Sequence, residues 1–129
     1  MSLHHEASAQ NEFKLMSAQP REIRRYITSA GTNPFDEWIV SLRDRIGRGK
    51  INERLRRIFL GNFGDYKSVG DGVFELRIHY GAGYRVYFGQ LDSVVILLLC
   101  GGDKSTQNRD IRKAKNYWRD YEQRTNIDK

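Results

Sequence analysis

The spacing of apolar and polar positions changes several times along this chain, and each change marks an element. From Arg21 to Thr28 the positions alternate, with Ile23 and Ile27 on one side and Arg24, Tyr26 and Thr28 on the other, as in a half-buried strand. Gly31-Thr32-Asn33-Pro34 breaks that run. Asn33 is placed to cap a helix, and Pro34 suits its first position because no N–H is needed there. Phe35, Trp38, Ile39, Leu42 and Ile46 then fall on one stripe of an amphipathic helix, which Gly47 and Gly49 interrupt. A second helix is predicted from about Lys50, its stripe made by Ile51, Leu55, Ile58 and Phe59.

After Gly61-Asn62-Phe63-Gly64 the period becomes two. Phe74, Leu76, Ile78 and Tyr80 share one face of a predicted strand, with Glu75, Arg77 and His79 on the other. Tyr84, Val86 and Phe88 alternate with Arg85 and Tyr87 on the next. A three-residue loop at Gly81–Gly83 pairs Ile78 with Val86, His79 with Arg85, and Arg77 with Tyr87, leaving one apolar and one polar, cationic face. A two-residue loop would mix the two. Tyr80 and Tyr84 fall on the apolar side and are read as core. Val94 to Cys100 does not alternate, so it is predicted as a strand covered on both sides. Gly101-Gly102-Asp103-Lys104 reads as a loop, and a last helix starts at Ser105 or Thr106 with Ile111, Ala114, Trp118 and Tyr121 at helical spacing. The expected fold is α+β in the order β-α-α-β-β-β-α. It comprises a small, mostly antiparallel sheet, an N-terminal helical hairpin and a C-terminal helix.

Composition narrows the class. The 129 residues amount to one domain, read as residues 20–129 behind a flexible N-terminal extension, 1–19, whose His4 and His5 are too few for a metal site. Fifteen aromatics exclude a wholly disordered chain. No apolar run approaches the roughly 18 residues of a membrane span, and the start lacks a signal-peptide core, so a cytoplasmic location is expected. Cys100 ends an apolar run with no basic activator beside it, as a buried thiol does. The net charge is +6, concentrated in seven cations between Arg43 and Arg57 against Asp44 and Glu53. That cluster favours phosphates or an acidic protein partner, and charge alone does not choose between RNA, DNA and an acidic segment.

The chain carries no P-loop, nucleophile elbow, C-x-x-C pair or H-E-x-x-H motif. Its carboxylates are scattered, so neither metal nor cofactor is expected. What remains is the polar face with Glu75, Arg77, His79, Arg85 and Tyr87, and Lys104 in the loop after the next strand. Metal-free RNA cleavage needs a base for the 2′-OH, a cation for the phosphorane charge and an acid for the leaving oxygen. Arginine suits the second task, because its fork matches phosphate oxygens in two places. Lys104, His79, Glu75 and Tyr87 are the proton-transfer candidates.

Phe74-Glu75-Leu76-Arg77-Ile78-His79 followed by Gly83-Tyr84-Arg85-Val86-Tyr87-Phe88 resembles the hairpin of the RelE-like branch of the RelE/ParE toxin superfamily. The wider pattern is similar to the phage-derived, HigB-like addiction-module killer group. It includes Pro34-Phe35 with Trp38, Gly61-Asn62-Phe63-Gly64-Asp65-Tyr66-Lys67, Gly101-Gly102-Asp103-Lys104-Ser105-Thr106-Gln107, and Asp110-Ile111 with Ala114. The likeness spans about residues 21–122. It implies the toxin of a type II toxin–antitoxin pair, an mRNA endoribonuclease working at the ribosome. It also implies a cognate antitoxin, expected to be a helix-turn-helix protein, that covers the basic face in a hetero-oligomer. Arg85, Arg77, Lys104 and His79 are then the expected catalytic residues, and Arg54, Arg56, Arg57, Lys67 and Tyr87 the expected RNA contacts. Glu75 stands where RelE-type enzymes often carry a cation. ParE-like relatives, which bind DNA gyrase and cleave nothing, give the alternative, as does a toxin that only binds its antitoxin.

Overall fold

The computed structural model describes residues 20–127, so the N-terminal extension with His4 and His5 lies outside the described residues. The fold is α+β: β1 (Glu22–Arg25), α1 (Pro34–Ser41), α2 (Arg45–Phe59), β2 (Tyr66–Gly70), β3 (Val73–Ile78), β4 (Tyr84–Gln90), β5 (Val95–Gly102), a 3₁₀ turn (Lys104–Thr106) and α3 (Gln107–Ile127). The element order therefore differs from expectation by one strand, β2. Its residues are mostly exposed at the sheet edge, so no buried row marks it in the sequence. The five strands lie in the order β1-β5-β4-β3-β2; β1 runs parallel to β5 and every other pair is antiparallel.

Both faces of the sheet are covered. Leu76, Ile78, Tyr84, Val86, Phe88, Ile96 and Leu98 pack against Phe35 of α1 and Ile51, Leu55 and Ile58 of α2. On the other face Val73, Tyr87, Leu97, Leu99 and Cys100 pack against Ala114 and Trp118 of α3. The continuous apolar run is thus explained within the chain. Leu98 serves one layer and Leu97 the other. A bulge opposite Tyr87 and Phe88 turns both Leu99 and Cys100 toward α3. Burial pushes the Cys100 thiol up to about 12, which keeps it protonated and inert.

Three expectations are corrected by close packing. Gly101 and Gly102 belong to β5 rather than to a loop. A Cβ on Gly101 would come within 2.1 Å of the Trp38 ring, and one on Gly102 within 1.8 Å of the Asp110 carboxylate, so two bare positions let these groups sit on the strand. β1 ends at Arg25; Tyr26, not Ile27, is the residue that enters the core, and Ile27 is exposed. The break between the helices falls at Leu42–Asp44. Asn33 and Pro34 do open α1, with Asn33 Oδ1 accepting from the Asp36 N–H at 3.1 Å. Asp44 caps α2 by accepting from Gly47 N–H at 2.9 Å, so α2 runs through both glycines and leaves Ile46 on its exposed side.

Gly47 is in the helix because nothing larger fits: a Cβ there would lie 2.6 Å from both the Tyr84 ring and the Asp44 carboxylate. Gly49 has open space around the same position. Opposite effects are expected in urea unfolding. Gly47→Ala should cost about 1–3 kcal/mol through overpacking, whereas Gly49→Ala should add about 0.5–1 kcal/mol because helical glycine is entropically costly. Equal effects of the two substitutions would contradict this packing.

Candidate phosphate-binding site

In β3 and β4, alternation carries Glu75, Arg77, Arg85 and Tyr87 to one face, as the sequence predicts. His79, expected in the same row, instead lies past the end of β3 beside Lys50, Glu53, Arg54 and Arg57 of α2, and the pairing is offset by two residues. Arg77 stands opposite Arg85 and Glu75 opposite Tyr87, and the connection runs over His79–Gly83. A shift of two leaves both faces intact, so the apolar pattern cannot detect it. The turn sets the offset: Gly81 and Gly83 adopt φ of 55° and 76°, and the Gly83 N–H donates to the Tyr80 carbonyl at 3.0 Å. Tyr84 is core, as expected, and its hydroxyl donates to Asp44 at 2.7 Å.

The polar face is not a surface. α3 lies over it, and Glu75 is fully buried. Its carboxylate accepts from Arg77 Nε at 2.8 Å, Gln107 Nε2 at 2.8 Å and the Tyr87 hydroxyl at 3.0 Å. Burial alone would push its pKa up. The three donors outweigh that, with Arg77 first, and hold it below the ordinary carboxylate value. Tyr87 is itself fully buried, and burial followed by the nearby Glu75 charge pushes its phenol well up. Expected as an RNA contact, Tyr87 instead has no exposed ring on which a base could stack, because α3 occupies that side. Gln107, which the sequence reading did not single out, closes the network from the first turn of α3.

Arg85 is the other buried ion of this face, only 7% exposed, and its Nε and Nη1 have no hydrogen-bond partner among the described residues. Of its cross-strand neighbours, Arg77 is itself cationic and Gly102 has no side chain; the buried Asp110 carboxylate that fills the space over Gly102 is engaged by the Thr106 hydroxyl and by Arg109 at 3.8 Å. A guanidinium without an acceptor is costly in such a place. Lys104 sits against the β3–β4 turn, its backbone N–H donating to Ala82 and its Cβ lying 3.3 Å from where a Gly83 Cβ would stand. Arg77, Arg85 and Lys104 are therefore brought to the same end of the sheet.

On the other flank of Arg77, His79 is exposed and bonded through Nε2 to the Asp65 carboxylate. Arg54 spends its fork on main chain, donating to the carbonyls of Arg77, Phe63 (3.0 Å) and Asp65 (3.2 Å). It fastens α2 to the segment before β2 and lowers the number of cations free for an outside ligand. Arg56 is exposed on α2. Arg57 is exposed too and is paired with Glu53 at 3.1 Å. Lys67 is exposed on the edge strand β2. These three do not converge on Arg85.

No model of a known protein family matches the chain. An uncharacterized protein of Haemophilus influenzae is 55% identical over 84 residues, a stretch that makes up 65% of this chain and 85% of that protein. The chain belongs to that protein's family. Its description names no activity. Among the described residues no helix is long and apolar enough to cross a membrane.

Proposed function

We propose that this protein is the toxin of a type II toxin–antitoxin pair, a RelE-like, HigB-like endoribonuclease that cuts mRNA at the ribosome without a metal. The observation that carries the reading is Arg85: a permanently charged fork, buried, with two donors lacking acceptors. A phosphate oxygen would complete it, and in a water-poor setting such a contact stabilises the charge that develops on a scissile phosphate. Arg77 and Lys104 flank it. The partners in this reading are a cognate antitoxin of helix-turn-helix type, mRNA and the ribosome, in the cytoplasm. The antitoxin is not needed to cover β5, which α1, α2 and α3 already enclose.

A second reading has one observation in its favour. Because α3 roofs Glu75 and Tyr87, the face offers little open groove for a nucleic-acid strand, which suits a ParE-like protein that binds gyrase without cutting. Incubating the purified chain with ribosomes and mRNA, and separately with gyrase and supercoiled DNA, separates the two. Cut mRNA with unaffected gyrase supports the nuclease; inhibited gyrase with intact mRNA overturns it.

The exposed cations of α2 then supply affinity rather than chemistry. Changing Arg56 and Arg57 together to Gln should weaken RNA binding and flatten its log–log salt dependence by up to ~1.4 units, about 0.7 for each single-strand phosphate contact. An unchanged slope would assign both side chains to solvent.

A further inference from the structure

A cleft of about 300 Å³ opens between α2 and the β3–β4 turn, lined by Lys50, Glu53, Arg54, Arg57, Ile78, His79 and Tyr80. It lies near the small end of the size range for ligand sites. Its composition is selective. Lys50 and Arg57 supply cationic charge on one wall, Lys50 Nζ standing 5.6 Å from the centroid of the Tyr80 ring, which gives the opposite wall an aromatic surface. Glu53 is the one acid of the lining and is engaged by Arg57. Phosphate on the cations and a base beside the tyrosine is the ligand chemistry such walls fit.

The histidine in this lining is held in one orientation. Asp65 is itself anchored through main chain: its carbonyl accepts from Arg54 at 3.2 Å and from the Arg77 N–H at 3.1 Å. Its side chain is thereby left to His79, and that bond, ahead of the charges of Arg77 and Arg54, keeps the carboxyl below its ordinary value. An ionised carboxylate only accepts, so His79 Nε2 carries the hydrogen of this bond, and in the neutral imidazole the lone pair is on Nδ1. This is the arrangement in which an acidic neighbour fixes the tautomer of a histidine base.

We propose that this cleft holds the RNA nucleotide whose 2′-hydroxyl attacks, that His79 is the catalytic base, and that Asp65 is the residue positioning it. The proposal deepens the nuclease reading and rests on it. His79 Nδ1 takes the 2′-hydroxyl proton as the 2′ oxygen bonds to phosphorus. The bond from phosphorus to the 5′ oxygen breaks with its electron pair, and that oxygen takes a proton from water. The products are a 2′,3′-cyclic phosphate and a 5′-hydroxyl, and His79 returns its proton to solvent. Arg77, whose peptide group joins the Asp65 and Arg54 contacts, lies between this cleft and Arg85.

The test uses the full chain and mRNA with ribosomes. His79→Ala should lower the maximal cleavage rate about 10²–10⁴-fold, leave co-sedimentation with programmed ribosomes unchanged, and recover part of its rate in added imidazole. Asp65→Asn keeps the backbone contacts, so it should lower kcat about tenfold with little change in KM, and nitrogen NMR should show His79 losing its single Nε2–H tautomer. If the wild type cleaves and His79→Ala cleaves nearly as well, or if imidazole restores nothing, this assignment is overturned and the nuclease reading stands. An unaltered tautomer in Asp65→Asn removes Asp65 from the role. A wild type that cuts no mRNA overturns both proposals together.

Discussion

Replacing Arg85 should raise stability while removing function. Arg85→Met substitutes an apolar chain of similar length for a buried ion whose Nε and Nη1 lack acceptors. Exchanges of buried charge for well-packed apolar volume are neutral or stabilising by about 1–4 kcal/mol. The same change removes the donors assigned to the scissile phosphate. Loss of one preorganised donor lowers rate by about 10²–10³, enough to abolish growth arrest on expression. Arg85→Lys should restore little, since an ammonium keeps the charge but loses the fork. Thermal unfolding and mRNA cleavage by Arg85→Met, free of antitoxin, check the pair of effects together. A destabilised variant would mean that Arg85 has a partner in the fold. A stable variant with near wild-type cleavage would place the phosphate elsewhere.

Glu75 should behave in the opposite sense. Glu75→Leu takes away the common acceptor of Arg77, Tyr87 and Gln107 and leaves a partly buried guanidinium and a buried phenol unpaired. Breaking a buried pair from one side typically costs about 3–5 kcal/mol, and the Gln107 contact that ties the start of α3 to β3 goes with it. Acid should imitate the substitution. The folded-state pKa lies below the ordinary 4.5, so the ionised carboxylate stabilises the fold above the unfolded-state value and that contribution disappears as pH falls through the folded value. Glu75→Gln should therefore be less stable than wild type at pH 7 and lose less on acidification, the two curves converging as pH falls through the folded-state value. Parallel curves would mean that the acid sensitivity belongs to other lowered carboxylates, such as Asp44 and Asp120.

These two residues also mark where sequence reading stops. Alternation placed Glu75, Arg77, His79, Arg85 and Tyr87 together on one face and the apolar residues of β3 and β4 on the other. The structure keeps both rows except for His79, which lies past the end of β3 beside α2. The meaning of the polar row did not follow, because a polar position in a half-apolar strand reads as solvent-facing unless another layer covers it. The Asp65 contact to His79 spans 14 positions, and the Gln107 contact to Glu75 spans 32, so no local pattern signals either. Arg54 sat in a basic run that looked uniform, yet its neighbours in the fold are three carbonyl oxygens rather than water.

By itself the sequence determined what local sterics and periodicity control: the Asn33-Pro34 start of α1, the helical spacing that seats Ala114 and Trp118, the two faces of the β3–β4 hairpin, and a β5 strand too apolar to meet water on either side. Tertiary structure decided the rest. It set the two-residue offset through the Gly81–Gly83 turn and kept α2 continuous by seating Tyr84 on Gly47. It made β5 run through two glycines under Trp38 and Asp110, and it enclosed Glu75 with three donors while leaving buried Arg85 donors without acceptors. Each of these depends on which group from a distant part of the chain arrives at a position. The free energy of a polar side chain is fixed by those neighbours and by exclusion of water, not by the residues on either side of it.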